Sequence, residues 1–311
     1  GKHMTVEETK KMLLRMNMDL LVEQSIKDPT SKIGALGVAV LQNFLLIEGP
    51  CALLGEQQLL DHCRTTEDLQ KEIPIQILIE IWKRFCFIKP RSCQLEADFK
   101  KPFRGIGVKN GVKVLEIGKQ YFSQIHVGGE VMKAQHVRKS QNLFTFGWGG
   151  MRTDQDRLAE IGKASMSLQK PMPIFVKNGT LGFDEHVNRV IAVLSKARVS
   201  NGTKSGTLKT IAIPMLRGIP LHEGNREPGE KSLRSRENWD WVERWEKIFP
   251  GIVVGACVSH LSSIKDPNSK ELFNHTTQAF KHAVAAGVRI VMVETTTGKD
   301  NDRSLTDPGI P

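Results

Sequence analysis

From residue 171 onward, short apolar runs alternate with longer amphipathic stretches. The runs have the composition of buried strands and cover residues 172–176, 208–215, 252–258 and 288–293. The stretches between them have the periodicity of helices that bury one face, and they centre on residues 184–198, 231–249 and 269–286. Strands and helices that alternate along a chain are typical of a parallel sheet covered by helices. We therefore expect a C-terminal α/β domain over residues 151–311.

The N-terminal third has the pattern of helices instead. Residues 5–32 and 56–88 carry apolar positions at helical spacing, and the stripe on the first segment comprises Met12, Leu13, Met16, Leu20 and Leu21. The apolar run 33–47 is consistent with either a buried helix or a pair of strands, because a short run of this kind has no diagnostic period. We expect residues 5–104 to be mainly helical.

Between these two regions lies a small segment with the pattern of β structure. Asn110 and Gly111 supply the two residues of a tight turn between apolar flanks, which predicts a hairpin over residues 105–118. Further short strands are expected at 121–127 and 143–146. The expected fold class is thus mixed α/β: a helical N-terminal region, a basic, β-containing middle at residues 105–150, and a C-terminal parallel sheet covered by helices.

The positive charge of the chain is concentrated in and around this middle segment. The formal net charge is +10, and the stretch from Lys83 to Lys139 alone carries +9, because it contains thirteen Lys and Arg residues but only four acids. A concentrated positive field attracts polyanions, since each phosphate that is neutralised releases condensed counterions. The candidate nucleic-acid-binding residues are Lys83, Arg84, Lys89, Arg91, Lys100, Lys101, Arg104, Lys109, Lys113, Arg138 and Lys139.

Three interpretations of this basic stretch stay open: a nucleic-acid surface, an ordinary solvated face, and a site for another anion. Aromatic residues lie among the charges and could stack unpaired bases, whereas Phe85, Phe87 and Phe103 also lie among apolar residues in the manner of a core. The pattern favours a nucleic-acid-binding protein, with RNA or single strands as its partner. A coat-like protein that packages nucleic acid and self-associates is a further hypothesis.

A glycine-rich segment is the candidate site for a cofactor. Gly147, Gly149 and Gly150 follow a predicted strand and precede a predicted helix, whose N-cap we expect to be Thr153. Backbone amides at such a turn bind phosphate, so a nucleotide is the cofactor that this segment would accept. Against this, the spacing is not that of a dinucleotide-binding loop, and acids in the first turn of the helix would repel a phosphate. The alternative function is an α/β enzyme or sensor that binds a nucleotide-type ligand at the carboxyl ends of the C-terminal strands.

The sequence identifies no catalytic residue and predicts no other cofactor. The closest cysteine pair is Cys86 and Cys93, and the sequence contains no CxxC pattern, so no metal site is expected. Trp241 and Trp245 lie four residues apart and share one face of a predicted helix. This spacing indicates packing against the sheet rather than a platform for bases.

Cysteine content and hydropathy indicate the compartment. Five cysteines are an odd number and few for 311 residues, which argues against a disulfide framework and for a reducing environment. The longest uncharged apolar run, 33–47, is shorter than a bilayer span, and the sequence lacks the pattern of a signal peptide. We expect an intracellular protein of the cytoplasm or nucleus that is not secreted and has no membrane partner.

Overall fold

The computed structural model divides the chain into two compact units. It describes residues 3–42, 45–49, 86–88, 126–127, 129–131, 134, 137, 145–149, 153–179, 181–216, 240–257 and 281–294. The first unit comprises Gly1–Gln42, Val131–Arg217 and Asp240–Gly255, and the second comprises Asn43–Glu130, Gly218–Trp239 and Ala256–Pro311. Each unit is therefore assembled from segments that are distant in the sequence.

Helices and strands succeed one another along the described residues. The chain begins with α1 (Val6–Lys27), α2 (Lys32–Gln42), β1 (Leu45–Gly49), β2 (Cys86–Ile88), β3 (His126–Val127), β4 (Gly129–Val131) and β5 (Thr145–Gly149). It continues with α3 (Gln155–Met166), β6 (Ile174–Lys177), α4 (Phe183–Ala197), β7 (Arg198–Val199), β8 (Thr207–Leu208), β9 (Ala212–Leu216), α5 (Asp240–Ile248), β10 (Gly255–Cys257) and β11 (Ile290–Glu294). None of the helices in these described parts is long and apolar enough to cross a membrane.

Three strands of the first unit form a parallel arrangement in the order β5-β6-β9. Both β6 and β9 are buried almost throughout. Helix α4 packs on β6 and β9, helix α3 packs on β5, and the two helices pack on each other. The two helices approach so closely that a β-carbon at Gly162 of α3 would lie 2.8 Å from the carbonyl oxygen of Val193 of α4. The predicted mixed α/β fold, with a parallel sheet flanked by helices, is confirmed.

Helix α1 begins with a capping box. The Glu8 amide donates to the Thr5 hydroxyl at 3.1 Å, and the Thr5 amide donates to the Glu8 carboxylate at 3.0 Å. The buried face of the helix comprises Leu13, Leu14, Asn17, Met18 and Leu21. Of the predicted stripe, Leu13 and Leu21 are buried, whereas the other three residues are half-buried. The middle of the buried face is a polar residue, Asn17, which the stripe did not include.

Asn17 joins α1 to strand β9 within the first unit. Its Nδ2 donates to the carbonyl oxygen of Ala212 at 2.7 Å, and its Oδ1 accepts from the Ala212 amide at 2.8 Å. Asn17 is 1% exposed, so both bonds are buried. The side-chain amide offers one acceptor and a donor to the backbone, as a peptide group does. It thus satisfies both polar groups of the first residue of β9.

Four strands of the second unit are also parallel, in the order β3-β2-β1-β11. The register places Gly49 of β1 beside Glu294 of β11, and Glu48 beside Ile88 of β2. Ile88 in turn lies beside Val127 of β3. The carboxyl ends of the four strands therefore meet at one edge.

The apolar run 33–47, whose structure the sequence left open, contains the greater part of α2 and the start of β1. Residues 86–88 were expected to end a helix, but they form β2, and their short apolar run did not distinguish the two structures. The predicted hairpin at 105–118 lies outside the described residues. The three-part division at residues 104 and 150 stays a prediction.

Candidate functional site

The carboxyl end of β6 is the best-defined polar region of the first unit. β6 lies between β5 and β9 and ends at Lys177, a half-buried residue that pairs in register with Met215. The next amide, that of Asn178, donates to the carbonyl oxygen of Met215 at 3.1 Å. In sheets of parallel strands covered by helices, ligands bind beyond the carboxyl ends of the strands. Lys177 is therefore a candidate to contact a ligand.

Arg189 of α4 is buried behind this strand end, with 2% of its surface exposed. Its Nε donates to the carbonyl oxygen of Lys177 at 3.0 Å, and its Nη1 donates to the carbonyl oxygen of Thr153. Burial lowers the pKa of Arg189, whereas the neighbouring carboxylates of Glu185 and Asp154 act in the opposite direction. The guanidinium stays charged, since its ordinary pKa lies far above neutrality.

His186 lies on the same helix, three residues before Arg189, and is fully buried. Its Nε2 lies 2.9 Å from the carbonyl oxygen of Val176, and its Nδ1 lies 3.1 Å from Nε1 of Trp245. A carbonyl only accepts and an indole N–H only donates, so the ring must be neutral with its proton on Nε2. The pKa of His186 is lowered to about 3, mainly by burial; the charge of Arg189 acts in the same direction and the hydrogen bond to Val176 in the opposite one.

Trp245 of α5 is fully buried and completes this cluster. Its ring makes an edge contact with Phe183 at a centroid distance of 5.4 Å, and with His186 at 5.2 Å. Trp241 also contacts Phe183, at 5.6 Å. The tryptophans were predicted to pack against the sheet, but the ring contacts that the structure describes are with Phe183 and His186 of α4.

The loop that follows β6 is held by an acid of the next helix. The carboxylate of Glu185 accepts a hydrogen bond from the Leu181 amide at 2.9 Å. A β-carbon at Gly179 would lie 2.4 Å from the same carboxylate oxygen, so a larger residue there would displace the carboxylate from this position. Because Glu185 and Arg189 lie four residues apart on one helix, α4 positions both the loop and the strand end.

The structure gives the glycine-rich segment a different role from a phosphate-binding turn. Gly147 and Gly149 lie within β5, and the amide of Gly147 donates to the carbonyl oxygen of Pro173 at 2.8 Å. A β-carbon at Gly149 would lie 2.2 Å from Cδ2 of Leu158 in α3. Glycine at that position therefore allows the helix to pack closely on the strand. Gly150 lies outside the described residues, and the nucleotide hypothesis there stays a prediction.

The expectation that Thr153 is the N-cap of α3 was wrong. The N-cap is Asp154, whose Oδ1 accepts from the Arg157 amide at 2.8 Å. Thr153 is instead 2% exposed and contributes its carbonyl oxygen to Arg189. The acids near this helix start are thus explained by capping and by the positive end of the helix dipole.

The candidate nucleic-acid-binding residues, from Lys83 to Lys139, lie outside the described residues. Two of them, Lys89 and Arg91, are the first and third residues after β2 in the sequence. In the second unit, Glu48 and Glu294 occupy neighbouring register positions at the shared edge. Within the parts of the chain that the structure describes, no three His, Cys, Asp or Glu residues form a group that could hold a metal ion.

These observations define an α/β protein with candidate ligand-binding positions at the carboxyl ends of parallel strands. Residues 40–307 match the model of the DAHP synthetase I family, a range that covers well over half of the chain. The chain belongs to the DAHP synthetase I family. Helix α1 and most of α2 precede the matched range. No curated protein sequence matches the chain.

The fold is similar to that of phospho-2-dehydro-3-deoxyheptonate aldolase (DAHP synthase) from Thermotoga maritima. The TM-score is 0.51 and the identity 16%, over 81% of this chain and 59% of that chain. A truncated form of 3-deoxy-D-arabino-heptulosonate 7-phosphate synthase from Thermotoga maritima is also similar, with a TM-score of 0.49 and 16% identity over 81% of this chain and 74% of that chain. At this identity the likeness shows the fold alone.

Family membership corrects the functional prediction. A nucleic-acid-binding or nucleic-acid-packaging protein is contradicted, because the matched family is one of synthetases and its model spans the whole basic stretch. Nucleic acid is likewise the wrong partner. The enzyme among the alternative hypotheses agrees with the family, but a nucleotide-type ligand gains no support from it.

Proposed function

We propose that this chain catalyses the condensation that yields a phosphorylated 2-dehydro-3-deoxyheptonate. The observation that carries the proposal is the family match over residues 40–307. The product is a seven-carbon acid with a carbonyl at C2 and a methylene at C3. Breaking its C3–C4 bond in an aldol sense leaves a three-carbon pyruvate enol equivalent and a four-carbon aldehyde phosphate. The substrates that we propose are phosphoenolpyruvate and erythrose 4-phosphate.

The reaction balances with these two substrates and water. C3 of the enol phosphate attacks the aldehyde carbon, and the aldehyde oxygen takes up a proton to become the C4 hydroxyl group. Water adds at C2, and the phosphate of the donor leaves to give the carbonyl group. Both substrates are anionic, and an electropositive protein raises the local concentration of such molecules. The interpretation of the basic stretch as a site for another anion is therefore the one that this proposal retains.

Lys177 is the described residue to which we assign contact with a substrate anion. Its position at the carboxyl end of β6, within a parallel α/β fold, supports this role. An ammonium group holds a phosphate or carboxylate as a point charge with three donors. We extend the same role to Lys89 and Arg91, which follow β2 in the sequence.

The test is product formation by the purified protein from phosphoenolpyruvate and erythrose 4-phosphate. We expect Lys177→Met to lower kcat/KM by about 10- to 100-fold, since a hydrogen bond to a charged group contributes about 1.5–3 kcal/mol. Lys209→Met is the matched control, because Lys209 is exposed and lies between β8 and β9, at the amino end of β9 instead of the carboxyl end of a parallel strand. Wild-type protein without activity, or equal loss in both variants, would contradict the proposal.

The expectation that no metal is involved does not agree with the family, whose members are generally metal-dependent. Among the described residues no set of ligands fits a metal ion, so we assign no step to one. Activity with and without a chelator would decide the requirement. We also propose an intracellular location, as the cysteine content indicated, and self-association stays a prediction.

A further inference from the structure

Arg189 has contacts that the proposed chemistry does not by itself explain. It is buried and bonds to two backbone oxygens: that of Lys177 at the end of β6, and that of Thr153, which precedes the N-cap of α3. The planar guanidinium presents donors in a fixed fork, so one side chain can hold two acceptors in a defined geometry. Arg189 therefore ties the β5–α3 connection to the last residue of β6.

The hydrogen bonds around Lys177 hold both of its flanking peptide groups. The carbonyl oxygen of Val176 belongs to the peptide group before Lys177 and lies 2.9 Å from Nε2 of His186. The carbonyl oxygen of Lys177 belongs to the peptide group after it and accepts from Arg189 at 3.0 Å, while the amide of that same group, from Asn178, donates to Met215 at 3.1 Å.

Two peptide groups held in place fix both backbone dihedral angles of the residue between them. The direction of the Cα–Cβ bond of Lys177 is then fixed as well. A ligand-binding group that is held in its working direction before the substrate arrives loses less freedom on binding.

We propose that Arg189 is a positioning residue that fixes the direction of Lys177 toward an anionic substrate. The proposal rests on the proposed function, because it needs Lys177 to contact a substrate. His186 holds the first peptide group and Arg189 holds the second. Arg189 is itself held by its hydrogen bond to the carbonyl oxygen of Thr153. Arg189 thus acts on the reaction through Lys177 and the β5–α3 connection, without touching the substrate.

The test compares Arg189→Met, Arg189→Lys and Lys177→Met, alone and combined, by steady-state kinetics. We expect Arg189→Met to lower kcat/KM by about 10- to 100-fold, since small displacements of a binding group have effects of this size. Arg189→Lys, which keeps the charge but lacks the fork and has the greater chance of folding, should recover only part of the loss. In the Lys177→Met background, Arg189→Met should change kcat/KM by less than about threefold, because the group that it positions is gone.

A matched control separates positioning from stability. Ser165 lies at the amino end of β6, where its hydroxyl donates to the carbonyl oxygen of Met172 at 2.8 Å and accepts from the Met172 amide at 3.0 Å. Ser165→Ala therefore removes buried hydrogen bonds at the other end of the same strand. We expect it to lower Tm with little change in kcat/KM. Losses that simply multiply in the double variant, or a Ser165→Ala variant as impaired as Arg189→Met, would overturn the role of Arg189.

Binding of phosphoenolpyruvate, measured by calorimetry, keeps the two proposals distinguishable. If the wild type binds this molecule but forms no product, the proposed function fails, and the same variants still report on positioning through Kd. The positioning role would be supported if Arg189→Met weakened binding in the wild-type background but caused no further weakening in the Lys177→Met background. If the wild type does not bind phosphoenolpyruvate, the assignment of Lys177 and the role of Arg189 are both wrong.

Discussion

Buried His186 should make folding stability depend on pH below neutrality. The folded protein holds its imidazole neutral, with a pKa of about 3, whereas the ordinary value is 6.5. Between these two values the unfolded chain binds a proton that the folded protein does not. The free energy of unfolding must therefore fall as the pH falls through 6.5, and this histidine causes no loss well above that value. Integrated from pH 7.5 to pH 5, the loss from this one group is about 2 kcal/mol.

The perturbation that isolates this loss is His186→Gln. Glutamine can donate to the carbonyl oxygen of Val176 and accept from Trp245, but it does not titrate. The free energy of unfolding is measured by urea titration at pH 7.5 and pH 5 for both proteins. Subtracting the variant's change between the two pH values from that of the wild type removes the contributions of all other groups. We expect the wild type to lose about 2 kcal/mol more than the variant.

Trp245→Phe serves as the control for the cause of the effect. It removes the hydrogen bond to Nδ1 but keeps His186 covered by an aromatic ring, and burial is the largest cause of the lowered pKa. This variant should keep most of the pH dependence. If wild type and His186→Gln lost equal free energy between the two pH values, the assignment of a buried neutral histidine would be refuted.

Two further substitutions test the packing that supports the site. Asn17→Ala leaves the amide and carbonyl of Ala212 without their buried partner, which should cost about 2–5 kcal/mol in urea unfolding, whereas Asp19→Ala on the exposed side of α1 should cost under about 0.5 kcal/mol. Equal effects of these two variants would show that the contact of Asn17 with β9 is unimportant. Gly149→Ala places a β-carbon 2.2 Å from Leu158 and should lower stability by about 1–3 kcal/mol; unchanged Tm would contradict the close packing of α3 on β5.

The position of Lys177 follows directly from the sequence pattern. Residues 172–176 were predicted as a strand of a parallel sheet, so the next residue had to lie near the carboxyl end of that strand. The role of this lysine was not predictable in the same way, because a single lysine at a strand end forms no motif. The structure shows that side chains of α4 form hydrogen bonds with the carbonyl oxygens of Val176 and Lys177, and these contacts exist only in the folded chain.

The burial of polar residues could not be predicted from hydrophobic periodicity. His186 and Arg189 look like members of a solvated helix face, yet both are almost completely buried. Asn17 was missed because α1 carries apolar residues on more than one face, so the period of 3.6 residues gave the helix but not its orientation. Burial of these groups depends on backbone acceptors and donors from distant segments.

The functional prediction failed because charge has no chemical specificity of its own. Lys and Arg attract the phosphates of nucleic acids and those of small metabolites by the same Coulomb force. Net charge therefore indicates the sign of a partner's charge and not the partner's identity. The basic stretch could therefore predict only the sign of a partner's charge and not its chemical class. Assignment to the DAHP synthetase I family required similarity spread over residues 40–307, which no short motif contained.

The bond between Asn17 and Ala212 also constrains the order of events during synthesis. The two residues are 195 positions apart. At a translation rate of about 5–20 residues per second, α1 leaves the ribosome about 10–40 s before its partner strand has been made. During that interval α1 can pack on α2, its neighbour in the chain, but its buried amide has no β9 to bind. A nascent chain stalled after α2 is therefore expected to expose the face of α1 that carries Asn17, and to be a target for chaperones until β9 emerges.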